Sequence, residues 1–188
     1  RCIYPRGVFE LLQGPDEMAT YHVREENRGS QVGDYWPLIA LVGTSCLAGA
    51  AYATALGGGL MVWMHGFMGV FLLIFAVLKI FDLKGFRRGF RMYDILARQV
   101  PDYAFVYPFI ELGLGLLYLS FLWPVFTYAA TVIVFAFGTI GVLRAVRAGL
   151  DIDCPCMGSI LSVPLSTVTL TEDLAMVAMA GVMLVSVL

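Results

Sequence analysis

Residues 35–56 read YWPLIALVGTSCLAGAAYATAL and carry no formal charge. Hydrocarbon offers no water to backbone N–H and C=O groups, so a run of this kind crosses a bilayer as a helix, which satisfies them internally. About 20 apolar residues fill the bilayer core, and further stretches of comparable character follow. Residues 59–81 (GLMVWMHGFMGVFLLIFAVLKIF) carry one histidine, and one lysine near the far end. Residues 105–122 (FVYPFIELGLGLLYLSFL) carry one glutamate, and 124–149 (PVFTYAATVIVFAFGTIGVLRAVRAG) stay apolar until Arg144. The last, 171–188 (TEDLAMVAMAGVMLVSVL), has an acidic N-terminal cap and is short for a full span. Only 14% of the residues are charged, against about 25% in soluble domains. The expected class is all-α integral membrane: a bundle of about five transmembrane helices with one amphipathic interfacial helix.

The cations set an expected orientation. Arg1, Arg6, Arg24 and Arg28 precede the first span; Lys79, Lys84, Arg87, Arg88, Arg91 and Arg98 lie at or after the end of the second; Arg144 and Arg147 close the fourth. Alternating threading puts all three groups on one face, and the opposite turns (Gly57–Gly59 and Trp123-Pro124) hold none. Positive charge stays cytoplasmic. The N-terminus, the 82–104 linker and the loop after Arg147 are therefore expected in the cytoplasm, with the spans in a bacterial inner membrane. Nucleic acid is disfavoured, because the few basic residues sit beside membrane segments.

Phe86, Phe90, Tyr93, Leu96 and Val100 recur at three- or four-residue steps, with Arg87, Arg88, Arg91 and Asp94 between them. The pattern predicts an interfacial helix over 84–100 lying on the bilayer surface, ended near Pro101. A basic surface resting on anionic lipid and a partner-docking surface are both open readings. The first 34 residues are polar and too few for an independent core. They are read as a cytoplasmic extension or the stub of a longer soluble domain, with no secretory signal visible. CIYPRGVFELL there resembles a cysteine opening a helix in glutaredoxin-like domains, without the strands such a domain needs.

Four cysteines occur: Cys2, Cys46, Cys154 and Cys156. Cys46 lies mid-span and is expected as a small apolar filler. Cys154 and Cys156, in DIDCPCMGS, form a C-x-C pair; a disulfide across it closes a tight ring, and strained disulfides are the exchange-prone ones. Redox cycling is the leading expectation. The alternative is a soft-metal site, Cys154, Cys156 and Met157 suiting Cu(I) or Hg(II). Met61, Met64 and Met68 with His65 add soft donors at helical spacing, near the opposite face, where packing is the plainer reading. Trp63 is a candidate interfacial anchor.

Glu111 lies inside the third span, where a carboxylate is a functional-site hypothesis by default. Lys79 is at comparable depth and could pair with it, with Asp82 as a competing partner. The plain reading is a helix-fixing ion pair. The functional reading is a proton carrier for the thiols, since exchange needs a thiolate and a carboxylate can take its proton. Ala48-Gly49-Ala50 with Ala51 and Ala53, and Gly113 with Gly115, should let helices approach closely.

The order LKIFDLKGFRRGFRMYDIL, VPDYAFVYPFIELGLGLLYL, DIDCPCMGS resembles the MauE/DoxX-like group of redox-associated membrane proteins. Lys79, Asp82, Phe86, Tyr93, Pro108, Glu111, Cys154, Cys156 and Gly158 carry the resemblance, over about residues 60–188. It implies a four-helix domain at 59–188 with a CPC loop at 151–170, the 35–56 helix being an addition. It further implies thiol–disulfide chemistry, linked in the methylamine-utilisation case to disulfide maturation of a partner enzyme, and a thioredoxin- or glutaredoxin-like partner. Cys154 and Cys156 would be the redox pair, with Glu111 and Lys79 assisting and no cofactor beyond the disulfide. Met157 stands where the group more often has an aromatic residue, which leaves room for a metal role. With CPC on the cytoplasmic side, delivering disulfides outside would require electrons to cross the bilayer, and Cys46 is the one thiol placed as a relay.

Overall fold

The computed structural model describes residues 36–100, 102–147 and 165–187. All regular structure among them is helical: α1 (Trp36–Ala55), α2 (Leu60–Phe81), α3 (Leu83–Tyr93), α4 (Ile95–Gln99), α5 (Tyr103–Ser120), α6 (Pro124–Arg147) and α7 (Leu165–Val187). Five of these, α1, α2, α5, α6 and α7, are long and apolar enough to cross a membrane. The protein is therefore an integral membrane protein whose outer helix faces meet lipid.

The expected spans shift in instructive ways. α7 begins at Leu165, six residues before the acidic pair reads as a cap, and so reaches 23 residues. Glu172 and Asp173 consequently lie inside the helix. α5 ends at Ser120 because Phe121 takes a left-handed backbone, φ 55°. Trp123 follows at φ 47°, where the ring of Pro124 bars the helical conformation to the residue before it. Pro124 itself suits the first turn of α6, having no N–H to leave unsatisfied.

Glycines decide where the helices meet. A Cβ on Gly115 (α5) would lie 3.0 Å from the Gly69 carbonyl oxygen on α2, and one on Gly49 (α1) would lie 2.9 Å from the Trp63 carbonyl oxygen. Without side chains there, backbones touch and dispersion contacts accumulate, which is how helices associate in lipid. Gly113 faces open space, so of the two α5 glycines only Gly115 makes the crossing. The closest helix pairs are α1–α2, α2–α5 and α6–α7. The pairings 65 with 118, 69 with 115 and 79 with 111 descend along α5 as they rise along α2, so the two run antiparallel. One end of the bundle thus carries α3, α4, the end of α6 and the start of α7; the opposite end carries the turns at 56–59 and 121–123 and the end of α7, where Ser186 meets Met61.

The amphipathic segment differs from a single surface helix. Asp94 breaks it in two: its backbone is extended, and its carboxylate accepts the Ala97 N–H at 2.7 Å to start α4. Asp82 does the same for α3, accepting from the Gly85 N–H at 3.0 Å. The apolar face of α3 is turned onto protein. Phe86 and Phe90 are 1% and 2% exposed and pack on Tyr107 of α5 with ring centroids 6.0 and 4.6 Å away.

Candidate functional site

The α2–α5 crossing and the α3 cover together create a closed polar site. Lys79 sits in the last turn of α2 and Glu111 two turns into α5. The Lys79 ammonium donates to both Glu111 oxygens, at 2.6 Å to Oε2. Both side chains are buried, 3% and 1% exposed. Antiparallel packing makes the meeting possible, since it lays the end of one helix beside the start of the other. Glu111 lies eight positions beyond Tyr103, so the carboxylate is about 12 Å along α5.

Aromatic rings wall this pair. Phe75, Phe86 and Tyr107 place their ring centroids 5.9, 5.6 and 5.1 Å from the Lys79 ammonium, close enough for each quadrupole to attract the cation. The Tyr107 hydroxyl hydrogen-bonds to Glu111. Each charge is thereby solvated by fixed groups after losing water, the condition under which a buried ion pair is tolerated. Pro108 adds an irregularity on the same turn: lacking an N–H, it leaves the Ala104 carbonyl without its helical donor. Chemically, the pair offers a proton acceptor beside a proton donor where bulk water does not reach.

Lys79 and Glu111 thus meet as the sequence suggests, while Asp82 is turned away to cap α3. Tyr107 and Phe75 were not singled out from the sequence, although each stands four residues from Glu111 or Lys79, the spacing that shares a helix face. Asp173, which the sequence presents only as part of an acidic cap, is another buried carboxylate. It is 6% exposed, and a Cβ on Gly138 of α6 would lie 3.1 Å from its Oδ2. Gly138 leaves the space this acid occupies. Extending α7 back to Leu165 is what would have revealed it.

The opposite end holds a separate network. A carbonyl can only accept, so His65 Nδ1 donates to the Tyr118 carbonyl at 2.8 Å; in the neutral ring Nε2 then accepts from the Tyr128 hydroxyl at 2.6 Å. Tyr52 of α1 donates to the Leu119 carbonyl. These are C-terminal carbonyls of α5, which lack intrahelical donors. His65 and Tyr52 cap α5 from two neighbouring helices, and with both ring nitrogens engaged His65 is a structural residue here. Met64 and Met68 are buried in the core and Met61 packs against it, as core fillers. Trp63 does not stand free as an interfacial anchor. Its indole donates to the Cys46 carbonyl at 3.3 Å and its ring stacks on Phe67.

Cys46 is a free, half-buried thiol packed against the core. Among the described residues, no three His, Cys, Asp or Glu side chains converge as a metal site. Cys2, Cys154, Cys156, Met157 and Gly158 lie outside the described residues, as do the N-terminal extension and the CPC loop itself.

No curated protein and no solved structure matches the chain. The family described as methylamine utilisation protein MauE matches over residues 57–186, from the turn before α2 almost to the end of α7. That range takes in the Lys79–Glu111 pair and the C-x-C sequence and leaves out α1; the chain belongs to the MauE family.

Proposed function

We propose that this protein is a membrane thiol–disulfide oxidoreductase in which Cys154 and Cys156 cycle between dithiol and disulfide. The observation that carries the reading is the Lys79–Glu111 pair, buried and walled by aromatic rings, at the bundle end where α6 stops and α7 starts. Membership of a family described by methylamine utilisation adds support. We extend that setting, and the wider DoxX-like kinship, to this chain as part of the same proposal.

In the reducing direction, one thiol of the pair loses its proton and attacks a partner disulfide. A mixed disulfide forms and one partner sulfur leaves as thiolate. The second cysteine then attacks the mixed disulfide, releasing the partner as a dithiol and leaving the Cys154–Cys156 disulfide. Two electrons pass to the partner, and a thioredoxin- or glutaredoxin-like dithiol restores the pair. Glu111 takes up and returns the thiol proton, and Lys79 is the positioning residue that holds its carboxylate. The disulfide is the only redox group required. Cations at the α3 and α6 ends, absent from the turns at 56–59 and 121–123, support a cytoplasmic location for the pair in a bacterial inner membrane. Cys46 is then the one thiol within a described span available as a relay.

The test is mixed-disulfide trapping in membranes carrying the full chain, with thioredoxin as the probe. Replacing one cysteine by serine should accumulate an adduct, and the Cys154→Ser/Cys156→Ser double variant should form none. Equal adduct in the double variant overturns the proposal. So does stoichiometric Cu(I) binding that needs both thiols without any exchange, which would establish the soft-metal alternative with Met157.

A further inference from the structure

We propose that the outward face of α3 is a docking site for the phosphate headgroup of an anionic phospholipid. Lys84, Arg88 and Arg91 are all exposed. Their spacing of four and three residues puts them in one row about 10 Å long. Neither of the segment's two aspartates forms an ion pair with that row. Asp82 is engaged by the Gly85 N–H and Asp94 by the Ala97 N–H, and Asp94 is buried. None of the three cations joins an ion pair among the described residues.

The level of α3 favours lipid over a soluble partner. It directly follows α2, whose last residue, Phe81, is 83% exposed, and α4 leads on to α5, where Phe105 is 44% exposed. Exposed aromatic side chains on both flanks belong against acyl chains, which sets the cationic row beside them at headgroup depth. Arg87 marks the same boundary, its guanidinium 5.9 Å from the Phe105 ring centroid. Because Phe86 and Phe90 are occupied against Tyr107, α3 is anchored by protein. Lipid on its outer face would therefore meet a preset row of charges, with little ordering left to do. The phosphodiester takes charge-assisted hydrogen bonds from the guanidinium forks.

The full-length chain in detergent is titrated with short-chain phosphatidylglycerol and, separately, phosphatidylcholine, and bound lipid is counted by native mass spectrometry. Each cation near a charged lipid is worth about fivefold in affinity. The Lys84→Gln/Arg88→Gln/Arg91→Gln variant should therefore lose about a hundredfold for phosphatidylglycerol and far less for phosphatidylcholine, whose choline cation offsets the same phosphodiester. Equal binding of the two lipids by the unmodified chain overturns the proposal. A triple variant that keeps phosphatidylglycerol overturns it too, as does a loss produced only by Arg144→Gln/Arg147→Gln. Should the triple variant fail to fold, the unmodified chain decides. Phosphatidylglycerol binding should weaken between about 0.05 and about 0.5 M salt, since the charges are exposed; a flat response refutes the docking. An unmodified chain that ignores phosphatidylglycerol while retaining an acidic soluble protein also refutes it.

Discussion

Removing one member of the Lys79–Glu111 pair should be far more damaging than removing both. With Nζ 2.6 Å from Oε2 and side chains 3% and 1% exposed, neither charge has water to fall back on. Truncating one partner of such a pair costs about 3–5 kcal/mol, because the other charge is stranded. Lys79→Met and Glu111→Leu should each lose about that much, a large share of a typical stability of about 5–15 kcal/mol. Replacing an ion pair by apolar groups of similar volume is often neutral, so Lys79→Met/Glu111→Leu should return to within about 1 kcal/mol of the unmodified protein. The coupling energy from the double-mutant cycle is then about 5 kcal/mol or more. Denaturant unfolding in mixed micelles, followed by tryptophan fluorescence, measures all four states of the cycle. Additive losses below about 1 kcal/mol each would mean the pair is reached by water and would refute this account. The double variant also separates structure from chemistry: it should fold, yet exchange thiols slowly if Glu111 carries the proton.

Three further outcomes are expected. Gly115→Ala places a Cβ 3.0 Å from the Gly69 carbonyl oxygen and 3.2 Å from the Leu73 nitrogen, both backbone atoms. It should cost about 1–3 kcal/mol, whereas Gly113→Ala, which meets open space, should be harmless in the same unfolding assay. His65→Phe removes the donor to the Tyr118 carbonyl and the acceptor for Tyr128. It should cost about 1–3 kcal/mol for each group left unsatisfied, read from the thermal midpoint. Burial pushes the Asp94 carboxyl above its ordinary value of 3.8, with the Ala97 and Leu96 amides pulling the other way. A raised carboxyl favours the folded state below the unfolded value and loses that contribution as pH climbs through the folded one. Asp94→Asn keeps an acceptor for Ala97 and should flatten this part of the stability–pH curve; an unchanged slope would exclude Asp94 as its source.

Much of the architecture is legible in the residues because lipid imposes a rule that needs no partner information. A charge-poor run long enough to span must be helical, so 35–56, 59–81 and 124–149 are readable on their own. The Lys79–Glu111 pairing is also legible, because two opposite charges inside neighbouring spans have few other ways to be solvated. Asp82 shows where such reading stops: as an acid three residues from Lys79 it competes on paper, but its carboxylate is engaged by a helix start. That choice depends on the backbone conformation at the α2–α3 junction.

The sequence by itself determined the helical class, the presence of five apolar segments long enough to span and the grouping of cations at alternate segment ends, since hydrophobicity and charge are properties each residue carries alone. Tertiary structure decided which faces became interior. Phe86 and Phe90 look like lipid-facing residues until Tyr107 is brought beneath them. Asp173 looks like a cap until α7 is seen to begin at Leu165 and Gly138 to leave it room. Aromatic enclosure of Lys79, capping of α5 by His65 and Tyr52, and the Gly69–Gly115 crossing all join residues distant in the chain. Such contacts form only once antiparallel helices settle at one depth and rotation, and periodicity along a single helix carries no information about its neighbour's register.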